Sequence, residues 1–286
     1  MSGISNQILF FLFSALTIFP VSGQETTIKL MSYNIRLDTP SDGENAWPKR
    51  KEALATQIAE VNPTILGIQE GMPHQVEFLS KKLNNYKRIG FGRDGGNLGE
   101  YSAIYFNSKE VELLKENTFW LSTTPEKPSK SWDAAYPRIC TYGLFKNKET
   151  NKFFWVFNTH FDHIGQQSRL KSTSIILNKI EELNDDDYPV FVIGDLNVTP
   201  QNEVIDLFNQ KLIDTYEASM ETPKGSFGTF NGFDTTTPAI NRIDYILADP
   251  AKNIEIVSYE VLSDKIQNKF LSDHFAVLTK IMLHDK

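Results

Sequence analysis

The chain has 286 residues, 40% of them hydrophobic and 23% charged. That globular composition excludes disordered, collagen-like and coiled-coil chains and suffices for one large domain. Its 36 acidic residues against 29 basic ones leave a net charge of −7, which argues against a broad basic face for clamping duplex DNA. The single cysteine, Cys140, excludes an intramolecular disulfide and a cysteine-built zinc site, and reads as a small buried hydrophobe.

The N-terminus reads as an address. Residues 8–21, ILFFLFSALTIFPV, are apolar apart from Ser14 and Thr17. The run is shorter than the roughly 20 residues a helix needs to cross a bilayer. Ser22 and Gly23 then lead into polar QETT, the order of a secretory signal peptide cut before Gln24, although no Lys or Arg precedes the run. Residues 1–23 are therefore expected to be removed. The mature chain, 24–286, is expected to be exported to the periplasm or beyond, without stable membrane insertion.

Within it, short runs rich in β-branched and aromatic residues, bounded by Gly, Pro, Asn or Asp, predict strands at 28–35, 64–69, 102–107, 153–159, 190–194, 243–248, 254–261 and 275–282. Helices are predicted at 47–61, 73–83, 168–183 and 200–208, the last with Thr199 as N-cap and Pro200 in first position. Stretches 90–99 and 123–136 read as loops. No repeat or low-complexity linker interrupts this order, which predicts a single α/β domain with sheet packed on sheet and helices outside.

Polar residues gather at the ends of the predicted strands: Ser32-Tyr33-Asn34, Gly67-Ile68-Gln69-Glu70, Asn158-Thr159-His160-Phe161-Asp162-His163, Gly194-Asp195-Leu196-Asn197, Arg242-Ile243-Asp244-Tyr245 and Leu271-Ser272-Asp273-His274. Such groups cost stability unless they meet one another, water or a ligand, so six of them imply one shared pocket. Glu70, Asp195, Asn197 and Asp273 offer oxygen donors suited to Mg2+ or Mn2+. Asp195 and Asn197, two apart, share a side of an extended chain. A histidine beside carboxylates is a natural general base, and the set as a whole points to attack by water on a phosphate ester. Asp162 reads as a loop cross-link or a site residue, and His163 as structural. His74 and His284 are expected in solvent, and Asp185-Asp186-Asp187 as a solvated turn. Phe227, Phe230, Phe233, Trp132 and Tyr136 read equally as pocket rim or as loop anchors.

The ordered set SYN, GIQE, NTH, GDLN, RIDY and SDH, spanning residues 32–274, resembles the endonuclease/exonuclease/phosphatase superfamily. The resemblance covers essentially the whole mature chain and implies a four-layer α-β-β-α sandwich of the deoxyribonuclease I type, secreted bacterial members being the most similar. It implies Glu70 as principal metal ligand with Asn34 and Asp273 close to the Mg2+ or Mn2+. His274 would activate water, oriented by Asp244, and Asp195 and Asn197 would position the nucleophile and bind phosphate. His160 and Arg138 would contact phosphate, and Glu100 would support His160. Where His160 stands, the abasic-site branch typically carries asparagine.

The expected activity is that of a divalent-metal-dependent phosphoric ester hydrolase, with a nuclease or other phosphodiesterase as first choice. Phosphomonoesterase action on sugar or inositol phosphates, or hydrolysis of a lipid headgroup, is the alternative. A non-catalytic binding protein on the same fold is disfavoured because all eight core residues are present. A glycosidase with Glu70 and Asp195 as paired carboxylates leaves the histidines and amides unexplained. The implied partner is a phosphate-ester substrate; no protein partner is implied.

Overall fold

The structure, a computed structural model, describes residues 26–250 and 253–284. The predicted signal segment, 1–23, lies outside the described residues. Among the described residues thirteen strands, numbered in chain order, form two sheets. The first contains β1 (Thr26–Asn34), β2 (Ile65–Gly71), β3 (Tyr86–Ile89), β4 (Tyr101–Asn107), β10 (Lys224–Gly225), β12 (Ile254–Leu262) and β13 (Ala276–Leu283), in the order β10-β12-β13-β1-β2-β4-β3. The second contains β5 (Val111–Trp120), β6 (Ile139–Asn147), β7 (Phe153–His160), β8 (Val190–Asp195), β9 (Ile213–Asp214) and β11 (Asp244–Ala248), in the order β5-β6-β7-β8-β11-β9. Among the described residues five α-helices accompany them: α1 (Trp47–Val61), α2 (Pro73–Lys82), α3 (Gln166–Leu183), α4 (Glu203–Phe208) and α5 (Thr215–Ala218).

Side-chain alternation along the strands builds the layers. Leu30, Val156, Phe191, Ile193 and Ile246 point inward and fill the core between the sheets. Their neighbours Trp155, Phe157, Val190, Val192 and Leu247 face the other way, where Ile176 of α3 and Phe208 of α4 cover them. On the first sheet Met31, Tyr33, Leu66 and Ile68 pack outward against Leu54 and Ile58 of α1 and Val76 and Leu79 of α2. The result is helices, sheet, sheet, helices: the four-layer sandwich. Among the described residues no helix is long and apolar enough to cross a membrane.

Three local expectations need correction. Strands β3, β5, β6, β9 and β10 were not predicted. VELLKENTFW mixes charges along an edge strand whose middle is exposed, so pairing with β6 rather than local pattern holds it extended. The fourth helix starts at Glu203, capped by the Asn202 side chain accepting from the Val204 N–H, not at Pro200 behind Thr199. Asp195 and Asn197 do not share an extended strand: β8 ends at Asp195, and Asn197 turns into the left-handed region with its N–H donated to Asp195 Oδ1 at 2.9 Å.

Candidate active site

Strand register assembles the site. His160 and Asp195 are paired at the ends of parallel β7 and β8. Asp195 is in turn opposite Asp244, the first residue of antiparallel β11. Three ionisable side chains thus stand side by side across one edge of the second sheet. Gly194 makes the approach possible: its φ is +146°, and a Cβ there would collide with the Thr159 carbonyl oxygen. From the first sheet, Asn34 ends β1 opposite Gln69 of parallel β2, and Glu70 follows with φ +62°. Arg36 (φ +57°) and Asn197 (φ +52°) share that left-handed conformation. Three non-glycine residues of this kind around one pocket are backbone strain concentrated at a functional site. Asp273 and His274 arrive just before β13, where His274 bridges to Phe230.

Side chains bind the two sheets together here. The Asn34 amide donates to Glu70 Oε1 at 3.1 Å and to Asp195 Oδ2 at 3.0 Å. The Leu37 N–H donates to Glu70 Oε2 at 3.0 Å. His274 Nδ1 lies 2.8 Å from Asp244 Oδ2, and its Nε2 lies 3.8 Å from Asp195. His160 Nε2 is 3.5 Å from Asp195. Burial, and then the Asp244 charge, push Asp195 up to about 7 against the pull of His274 and Asn34. Burial alone would strip the His274 ring of its proton, but Asp244 and Asp195 together outweigh it and hold the ring up to about 10. His160, by contrast, is kept neutral: burial, then Arg138 and His274, hold it well below the usual histidine value.

A pocket of about 420 Å3 opens over these groups, lined among others by Glu70, Arg138, His160, Asp195, Asn197, Asp273 and His274. Of the residues predicted for the site, Asn34 and Asp244 lie buried beneath the lining, hydrogen-bonded to it. Glu100 also lines the pocket, but its carboxylate pairs with Arg93 at 2.7 Å and makes no hydrogen bond to His160. Arg138 is buried, 3.6 Å from Asp162, and donates to His163 Nδ1 at 3.2 Å. Asn158, from NTH, is instead a wholly buried link between sheets, its amide donating to Ile68 and Ala103 carbonyls while Gln69 donates to its oxygen. Sequence reasoning missed Arg36 and Arg93 and gave His163 a merely structural place. Arg36 bridges Asp42 at 3.0 Å and Asp273 at 3.5 Å. The sign of it was Arg36 two positions after SYN; nothing in the glycine-rich loop singled out Arg93.

Among the described residues one group of acidic and histidine side chains could hold a metal ion: Asp195, Asp244 and His274, all buried, with ligand atoms within 4.8 Å of one another. Asp244 Oδ1 is buried without a hydrogen-bond partner, and the two carboxylates are hard donors, so a divalent cation fits the chemistry. Glu70 and Asp273 add oxygen donors to the same pocket, whereas the Asn34 oxygen accepts the Arg36 N–H at 3.0 Å.

The model of the Endonuclease/Exonuclease/phosphatase family matches residues 31–274. This chain belongs to that family. A crystal structure of an endonuclease/exonuclease/phosphatase family protein from Bacteroides thetaiotaomicron is 34% identical, with a TM-score of 0.85 over 92% of this chain and 100% of the other. A mannosyl-6-phosphatase of the same bacterium is 34% identical, with a TM-score of 0.83 over 89% of this chain and 99% of its own. An uncharacterized protein of Acanthamoeba polyphaga mimivirus is 28% identical over 250 residues, 81% of this chain and 91% of that one. As a member of the endonuclease/exonuclease/phosphatase family with a buried cation-compatible cluster, the chain is a hydrolase of the phosphoesterase type.

Proposed function

We propose that this protein is a divalent-cation-dependent phosphomonoesterase acting on sugar phosphates. The observation that carries the reading is its 34% identity, over 99% of that chain, to a mannosyl-6-phosphatase. The site agrees with it: a pocket of about 420 Å3 suits a small ligand, and the −7 net charge argues against a broad basic face for a polynucleotide. This reverses the order expected from sequence, which put a nuclease first.

In this reading Glu70 and Asp273 would hold the cation, with Asn34 fixing Glu70 beneath them, because His274 Nδ1 is already committed to Asp244. When bound it would neutralise charge on the phosphoryl oxygens and lower the proton affinity of nearby groups. His274, aligned by Asp244, then takes a proton from the attacking water at Nε2. Arg138 and neutral His160 donate to the phosphoryl oxygens, and Asn197 lines the same space. The protein acts outside the cytoplasm once residues 1–23 are removed; N-terminal sequencing of the processed protein should begin at Gln24, and retention of Met1 would overturn this.

The decisive assay incubates EDTA-stripped protein, with and without Mg2+ or Mn2+, with mannose 6-phosphate, glycerol 3-phosphate and supercoiled plasmid. Cation-dependent phosphate release from the sugar ester, far outpacing plasmid nicking, is expected. Nicking without phosphate release would return the nuclease to first place.

A further inference from the structure

The groups described so far form the pocket floor and would act on any phosphate ester; the rim is built differently. Tyr136 is 50% exposed there and Phe230 39%. Tyr136 stacks on His163, ring centroids 6.0 Å apart and planes 18° from parallel. The Arg93 guanidinium sits 4.8 Å from the Tyr136 centroid and is itself paired with Glu100.

This rim is held rigidly. Both oxygens of buried Asp162 accept backbone N–H groups, from Ala135 at 2.9 Å and Tyr136 at 3.2 Å on one side, and from Ile164 at 3.0 Å and Gly165 at 2.8 Å on the other. Asp133, in the same loop, accepts from Gln167 and Ser168 at the start of α3 at 3.1 and 2.7 Å. One carboxylate therefore fixes both the loop bearing Tyr136 and the loop bearing His163, so the pair is presented without an ordering cost on binding.

Its chemistry is amphipathic. Arg138 can only donate, so the His163 Nδ1 it contacts must be the unprotonated nitrogen, which leaves the ring proton on Nε2. No group among the described residues takes the Tyr136 hydroxyl. The part of the Tyr136 ring left exposed beside His163 and Arg93, edged by a free hydroxyl and an imidazole N–H, matches a pyranose, which has C–H faces and a hydroxyl rim. A short acyclic ester brings hydroxyls but no C–H ring face to lay against it.

We propose that Tyr136 and His163 form the wall that reads the leaving group, selecting a sugar ring over small acyclic phosphates. The inference rests on the phosphomonoesterase reading above. It is tested by the ratio of kcat/KM for mannose 6-phosphate to that for glycerol 3-phosphate in Tyr136→Ala, Tyr136→Phe and His163→Ala proteins. A lost wall contact should lower the ratio by about tenfold, a typical size for one pocket contact, in both alanine variants and mainly through KM. Tyr136→Phe, which keeps the ring, should retain most of the ratio. Equal losses on both substrates would show that the stack only braces Arg138, and would overturn the wall while leaving the phosphomonoesterase standing. A wild-type protein that turns over neither ester would overturn both.

Discussion

At the level of single residues, the arrangement separates groups that do chemistry from groups that hold them. His274 is buried, pinned by Asp244, and reaches the pocket with its remaining nitrogen. His274→Ala should therefore cut kcat by about a hundredfold or more, the usual worth of a positioned acid–base group, while thermal unfolding moves little. Turnover near the wild-type rate in a folded variant would remove His274 from the mechanism. Most of the site was legible because Asn34, Glu70, His160, Asp195, Asp244, Asp273 and His274 each follow or open an apolar strand, a local pattern. What was not legible is pairing. Glu100 meets Arg93 because a glycine-rich loop folds back on itself, with the Arg93 N–H bonded to the Glu100 carbonyl, and no spacing rule announces that.

Between elements, two buried groups do the joining. Arg50 of α1 donates to the carbonyls of Ile35, Arg36, Asn45 and Leu271, clamping the end of β1 to the segment that carries Asp273 and His274. Arg50→Ala leaves those carbonyls without a donor and should cost about 3 kcal/mol by chemical denaturation, with kcat falling as the strand ends separate. Asp162 makes the second joint. Burial raises its pKa, but the N–H groups of Gly165, Ile164 and Tyr136, with Arg138, outweigh that and hold it below the ordinary value. A carboxyl depressed in this way stabilises the fold fully above its unfolded pKa of about 3.9 and progressively less as pH falls toward the folded value. The stability gap between wild type and Asp162→Asn should thus be widest near neutrality and narrow below about pH 4. A gap unchanged with pH would mean the side chain acts by shape alone. Element type followed from β-branched and aromatic runs at most buried strands, though not at buried β6. It failed at β5, an exposed edge that only its partner makes a strand, and at α4, where Asn202 proved the stronger cap.

Across the whole molecule, both sheets end at the same charged edge, and this sets the terms of stability. Apolar runs at β1, β7, β8 and β11, interleaved with helices, made the two-sheet packing readable, because each such strand needs cover on both faces. The inter-sheet core then forces Asp195, Asp244 and Asp273 into burial beside Glu70. Burial and the neighbouring Glu70 push Asp273 upward despite His274 and Arg36, a sign that without a cation these carboxylates repel one another in the folded state. A ligand that binds only the folded form stabilises it according to its concentration relative to Kd. Adding Mg2+ to EDTA-stripped protein should therefore raise Tm in proportion to the logarithm of cation concentration once the site saturates. Glu70→Gln should raise the cation-free Tm or leave it unchanged, since a repelling charge is gone, and should shrink the Mg2+ response. A Glu70→Gln protein with an undiminished response would place the cation elsewhere, with the Asp195, Asp244 and His274 cluster as its remaining seat.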